Sequence, residues 1–351
     1  MKTFIPSLLI CFSLVFGFNA CKTLDVTQAP TLTEQNKGGT ARFQAISVVN
    51  DQIIWTSGTQ GTFARTSNGG ATWEVGKVPD ADKLEFRDVQ GIDANTAILM
   101  SAGEGANSRI YKTIDGGKNW ALKYTNAEAQ GFYDCMDFWD AQRGLLFSDS
   151  INGEMLVMQT SDGGATWTRI PPESLPKAQV NEGAFAASGT CVATRPNGVA
   201  FIGTGATSIK SRVLRTADYG KTWQVADSPI ISDTPTAGIT SVVMSNNQRG
   251  FIFGGDFQKN EPPSQRFART VDGGKSWDLG ANPPLKNGIF GGAHLKGSSA
   301  LIVVGPKGAN YSPNFGTTWQ PISEGDFWSV GCGTRACWMV GAKTNIVKVS
   351  W

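Results

Sequence analysis

The groups most able to do chemistry in this sequence are six side-chain carboxylates or carboxamides that recur in one setting. Asn68, Asp115, Asp162, Asp218, Asp272 and Asn314 each follow a Thr or Ser by two places and precede a Gly by two and a Trp by five. A carboxylate beside a hydroxyl can hold a ligand, or it can accept hydrogen bonds from the backbone of its own turn. The second role explains every position of the phrase. The acceptor closes the turn, and the glycine takes backbone angles closed to other residues. Trp73, Trp120, Trp167, Trp223, Trp277 and Trp319 are expected to pack as apolar plates between layers, each indole N–H reaching a carbonyl. The six turns are therefore read as architecture.

Little else is arranged for catalysis. His294 is the sole histidine, no Cys-x-x-Cys spacing occurs, and no dinucleotide fingerprint is present. No cofactor or metal is expected. A net charge of +2 lacks the basic stripe of nucleic-acid binders. Cys332 and Cys337 flank a plausible turn and predict a hairpin disulfide. Cys135 and Cys191 stand at similar places in neighbouring repeats, and the spacing leaves their pairing open.

Stepping outward from each phrase, the same elements position it. An alternating apolar run, a short polar turn, a second run and a third strand lead into the phrase, and a fourth strand follows it. Period-two runs bounded by Gly, Asn and Asp mark strands and hairpins. First strands are expected to begin at Phe43, Phe86, Phe132, Phe185, Ile239, Phe290 and Phe327. Four-stranded units repeated in this way are the blades of a β-propeller. The fold class is all-β, a seven-bladed β-propeller with six of the repeated turns. The seventh unit runs out one strand short, so the segment between Asp25 and Arg42 is expected to supply that strand and close the ring.

The first twenty residues differ. Lys2 precedes an apolar run from Phe4 to Phe18 that ends Asn19-Ala20-Cys21. The run fits the core of a secretory signal better than a membrane span. Its end resembles a bacterial lipoprotein processing site, which implies a mature chain lipidated at Cys21. The expected organisation is a signal peptide at 1–20, a tether and closing strand at 21–40, and the propeller at 41–351. The expected location is the Gram-negative envelope, lipid-anchored at the outer membrane.

Loop lengths separate the two faces of such a disc. The repeated turns and the first hairpin turns are tight and share one face. The connections on the other face are long and variable, as at residues 171–183, 205–211, 228–236, 256–265 and 282–288. Long excursions on a rigid frame are where binding is usually carried. The channel mouth on that face is expected to present Arg87, Tyr133, Asp134, His294 and Trp328 to a protein partner. The recurrent Phe is assigned to packing between blades.

The repeated phrase resembles the Asp-box of the BNR repeat family. Sialidases carry Asp-boxes, but Arg169-Ile170-Pro171 stands after the third phrase, not before the first. None of the five tyrosines stands in a recognisable nucleophile setting. The whole pattern, from about residue 40 onward, is similar to the photosystem II stability/assembly factor family and its non-photosynthetic relatives. Here Ser57-Gly58-Thr59-Gln60-Gly61 leads through Arg65-Thr66 to Trp73, and Arg215-Thr216 and Arg269-Thr270 repeat the lead. That resemblance implies a non-enzymatic scaffold that binds membrane-protein intermediates with a basic patch, to which Arg65, Arg215 and Arg269 would contribute. The expected function is a non-catalytic assembly scaffold, a monomer or a subunit of a larger envelope complex. The alternative is a glycan-active or glycan-binding propeller.

Overall fold

The computed structural model describes Met1 and residues 24–35, 38–207, 209–259 and 264–351. The expected leader, and the lipidation at Cys21, lie outside the described residues. Among those residues seven four-stranded antiparallel sheets stand in a ring. The first strands of consecutive sheets touch one another, and the seventh touches the first. The chain is thus a seven-bladed β-propeller.

The innermost strands are Phe43–Val48, Glu85–Gly91, Tyr133–Phe138, Val192–Arg195, Ala237–Met244, Gly291–His294 and Phe327–Cys332. Apolar residues fill the spaces between sheets. Trp55 and Phe63 of blade one, for example, meet Phe86, Leu99 and Tyr111 of blade two. Blade seven is completed by Thr31–Glu34, which pairs with Ile346–Ser350 from Thr31 opposite Ser350 to Glu34 opposite Val347. The two ends of the propeller therefore share one sheet, and the last blade gains the strand that would otherwise be missing.

Each repeated turn is built as its residue types dictate. In the first, the Thr66 hydroxyl donates to Asn68 Oδ1 at 2.9 Å. The N–H of Gly70 donates to Thr66 Oγ1 at 3.0 Å, and that of Thr72 to Asn68 Oδ1 at 2.9 Å. The same three bonds recur at Asp115, Asp162, Asp218, Asp272 and Asn314. Each contributes about 1 kcal/mol net. Every copy also donates a backbone N–H to the first hairpin turn of its own blade, as Gly69 does to Gln52 O and Gly273 to Gln248 O. The repeated turns and these hairpins thus form one continuous face.

Two expectations about this face are corrected. The indole N–H finds a backbone carbonyl at Trp223 and Trp319, and Trp73 uses the side-chain carbonyl Gln35 Oε1. Those of Trp120, Trp167 and Trp277 are buried without an acceptor. For the expected basic patch, Arg65 and Arg215 are interblade clamps, whereas Arg269 is exposed. Lys112 donates to Gly163 O, Arg215 to Gly273 O and Lys348 to Gly69 O, each in the next blade. Arg65 donates to Ala94 O and pairs with Glu74 at 3.0 Å.

A third correction concerns blade four. Its innermost strand starts at Val192, not at Phe185. Residues 184–190 cross the axis of the ring. Ala186 O accepts from Arg87 of blade two at 2.9 Å, and Thr190 O from Val242 of blade five at 2.8 Å. Ser188 donates to Phe290 O of blade six and accepts from Ser329 of blade seven, both at 2.8 Å. A guanidinium, a hydroxyl and backbone groups from four blades therefore replace the ladder this segment gives up. Gly189 passes so close to Asp88 that an added Cβ would stand 2.5 Å from its Oδ1. A Cys135–Cys191 disulfide ties the end of the crossing to blade three. A second disulfide, Cys332–Cys337, spans the hairpin of blade seven.

Candidate functional site

The crossing segment divides the channel into two cavities. One, of about 260 Å³, opens on the long-loop face. The other, of about 560 Å³, opens toward the repeated turns.

The long-loop cavity is shaped by bulges. In blades one, two, three, five and seven the register of the innermost strand slips by one residue near its start. The extra residues are Gln44, Arg87, Asp134, Thr240 and Trp328. A bulged residue leaves the ladder and its side chain is re-aimed. Arg87, Asp134 and Trp328 are brought together in this way on the wall of one cup.

Two expected mouth residues stand elsewhere. Tyr133 is fully buried, because the period of two turns it away from the channel while its neighbours Phe132 and Asp134 line the cup. Burial raises the Tyr133 phenol above its ordinary range. His294 ends its strand rather than beginning it, so it lies in the other cavity. There its Nε2 lies 2.8 Å from Ser298 O and its ring stacks on Phe315. Burial holds its pKa below normal despite that hydrogen bond.

The cup has aromatic walls. Trp328 and Phe290 meet edge to face at 5.0 Å, Phe290 and Phe257 at 6.2 Å, and Phe257 and Phe185 at 5.3 Å. The recurrent Phe thus divides. Phe43, Phe86 and Phe327 are buried between blades, whereas Phe132 and Phe290 line the cup. Sequence reasoning missed Phe185, Phe257 and Asp149. Phe185 and Phe257 lie in or beside a connection, and their places depend on how the chain turns there, whereas Asp149 lies within the strand Gly144–Ile151 where its pairing shifts register. For Asp149, the sole sequence signal is a carboxylate just past the apolar run Leu145–Phe147.

The charged groups of the cup are unequally engaged. Arg87 pairs with Glu85 at 2.5 Å and donates to Ala186 O. Its guanidinium lies 5.3 Å from the Trp328 ring, and that of Arg42 lies 4.8 Å from it. Burial, and then the neighbouring Asp149 carboxylate, push Asp134 well above the carboxylate range. Burial also raises Asp149, to about 6, although it accepts the N–H of Ala184. The two carboxyls line the same cup, and the charge of Asp149 adds to the burial that raises Asp134.

Arg169, which spells the start of a sialidase-like motif, lies on the outermost strand Thr168–Arg169, paired with Glu154 at 3.1 Å. Among the described residues no group of three His, Cys, Asp or Glu is placed to hold a metal ion. No helix among them is long and apolar enough to cross a membrane.

A scan against protein-family models finds none that matches, and a search of curated proteins finds no match. Among solved structures the chain is similar in fold to YCF48 bound to D1 peptide. The identity is 16%, the TM-score 0.63, and 92% of this chain and 96% of that chain are covered. YCF48 from Cyanidioschyzon merolae gives 14% identity and a TM-score of 0.65 over 91% of this chain and 98% of that one. A catalytically inactive virginiamycin B lyase from Staphylococcus aureus with quinupristin gives 11% and 0.65 over 92% and 99%. These likenesses establish the class of fold, which serves binding proteins and enzymes alike.

Proposed function

We propose that this chain is a non-catalytic propeller that grips a segment of a protein partner at its long-loop mouth and assists the assembly or stability of a complex in the cell envelope. The observation that carries the reading is the cup itself. Bulges on three blades aim Arg87, Asp134 and Trp328 into one concave, aromatic-walled site. Aromatic and Arg side chains in such a setting are the usual anchors of protein interfaces. YCF48, whose fold is similar, has been captured with a peptide bound, in accord with the same use of a propeller.

The carboxyls favour binding over hydrolysis. Glycoside hydrolysis needs two carboxyls held apart by at least about 5 Å, so that the scissile bond lies between them. Asp134 is instead almost wholly enclosed, with 1% of its surface exposed. In the same proposal the mature chain begins at lipidated Cys21 and is held at the outer membrane. The closing strand Thr31–Glu34 then leaves only a short tether to the bilayer.

The test is a membrane pull-down with the lipidated protein, run in parallel with Trp328→Ala and with Ile114→Glu on the opposite face. A reproducible partner lost only with Trp328→Ala supports the reading. Turnover of a glycan panel that disappears with Asp149→Asn would replace it with an enzymatic one. Mass analysis of Cys21→Ser against wild type tests the anchor, which predicts a lipid adduct on the wild type alone.

A further inference from the structure

Resting on the docking site proposed above, we infer that the anchor the cup accepts is a cationic side chain, a lysine or arginine carried by the partner segment. The cavity of about 260 Å³ is large enough for one such side chain. Its aromatic walls offer ring faces, which attract ammonium and guanidinium groups as well as apolar stems.

The charge left unengaged in the cup decides the sign of the ligand. Arg87 is neutralised by Glu85 and held by Ala186 O. Arg42 lies over Trp328 and acts on the same Glu85. Asp149 is different. It accepts the Ala184 N–H, lines the cup beside Asp134, and makes no ion pair among the described residues. Asp134 Oδ2 is buried with no donor from any other residue. The Tyr133 hydroxyl, the adjacent titratable group, points away and is buried. Glu182, next along the connection, is already paired with Arg212 at 2.5 Å. A ligand cation would therefore meet, at the base of an aromatic cup, two carboxyls that make no ion pair among the described residues, Arg87 acting on Asp134 only through its field. A ligand anion would meet Arg87, the cation that lines the cup, already paired with Glu85.

The pair also sets a pH dependence. Burial raises Asp149 to about 6, so below that pH its charge and the attraction it exerts are lost. Above it Asp149 is an anion. Affinity for a cation therefore rises with pH, by up to about tenfold per unit on the acid side of that titration.

The test uses the whole propeller and capped tripeptide probes. Acetyl-Gly-Lys-Gly-amide is compared with its norleucine and glutamate counterparts, and the arginine tripeptide with its citrulline counterpart. Binding is followed by the Trp328 indole N–H resonance, assigned through Trp328→Phe. The expected result is at least tenfold tighter binding of the lysine and arginine probes than of their neutral counterparts at pH 7.5. That margin falls at pH 5, and Asp149→Asn abolishes it. Equal binding of lysine and norleucine probes overturns the inference, as does tightest binding of the glutamate probe. Both comparisons use the wild type, so a poorly folded variant does not blunt them. Butylamine is a separate arm: tighter binding of butylamine than of the lysine tripeptide would assign the cup to free amines and overturn the protein anchor. Partner capture through the mouth without any preference for cations sinks this inference alone. Preference for cations with no partner at the mouth sinks the docking proposal and leaves the cup's chemistry standing.

Discussion

The two faces of this disc use the same residue type to opposite ends. On the repeated-turn face Asp115 is held at about 2, first by the N–H of Asn119 and then by that residue's side-chain amide. Asp272 is lowered further, chiefly by the Ser276 hydroxyl. At the mouth, Asp149 is raised to about 6 by burial, and burial raises Asp134 well above the carboxylate range. Exposed carboxylates with donors supplied by their own turn are content as anions. Buried carboxyls beside each other disfavour a second negative charge. The first arrangement is local, repeated and structural. The second is assembled once, from several blades, and is the one suited to act on a ligand.

The contrast can be broken in graded ways. The largest expected effect is on binding. Trp328→Ala removes the central aromatic wall of the cup and should weaken partner capture by about 2 kcal/mol or more, roughly thirtyfold. Ile114→Glu, on the opposite face, should leave capture unchanged in the same pull-down. Equal losses from both would erase the distinction between faces.

Next comes the crossing segment. Replacing Cys135 and Cys191 together by Ser should cost about 2–4 kcal/mol in denaturant unfolding. Gly189→Ala should cost about 1–2 kcal/mol, since its φ of +71° and the nearby Asp88 both exclude a Cβ. Either change should alter probe binding at the cup, because residues 184–187 form part of its wall. Unaltered binding would mean that the crossing is only a filler.

A smaller effect is expected at a single repeated turn. Thr160→Val deletes the hydroxyl that joins Asp162 to the N–H of Gly164 and should cost about 1–2 kcal/mol, with no change in binding. The five remaining turns limit the damage to one blade.

The smallest effect sharpens the electrostatic half of the comparison. At the repeated turns the folded-state pKa lies below the unfolded one. Their contribution is present above about pH 4 and lost as pH falls toward about 2. Asp149 has the reverse sign. Its folded state favours the proton, so its contribution is full below about pH 4 and is lost as pH rises through about 6. Thermal unfolding of Asp149→Asn should therefore exceed wild type by a few degrees at pH 8 and match it at pH 4. Asp162→Asn should change little at either pH, since Asn68 and Asn314 already do the same work.

How much of this was legible in the sequence follows from the same division. The repeated turn was readable because acceptor, hydroxyl, glycine and tryptophan lie within eight residues and bond to one another. Blade number and ring closure followed from counting those units and noticing one strand too few. The mouth was only partly readable. Arg87, Asp134 and Trp328 sit at strand starts, and their convergence depends on bulges that no local pattern announces. His294 was misplaced because its strand is four residues long, and it stands at the far end. Phe185 carried the expected look of a strand start, but a guanidinium, a hydroxyl and backbone groups from four other blades draw its segment across the axis. Asp149 gained its meaning only from the carboxyl opposite.

The most direct measurement of the central claim is positional photo-crosslinking in intact membranes. A photoreactive residue replaces one exposed apolar side chain at a time: Val180 or Ile209 among the long loops, and Ile114 or Val271 among the repeated turns. The account predicts a common protein adduct from the first pair and none from the second. Adducts confined to Ile114 and Val271 would contradict it, because the partner would then dock on the face read here as purely architectural.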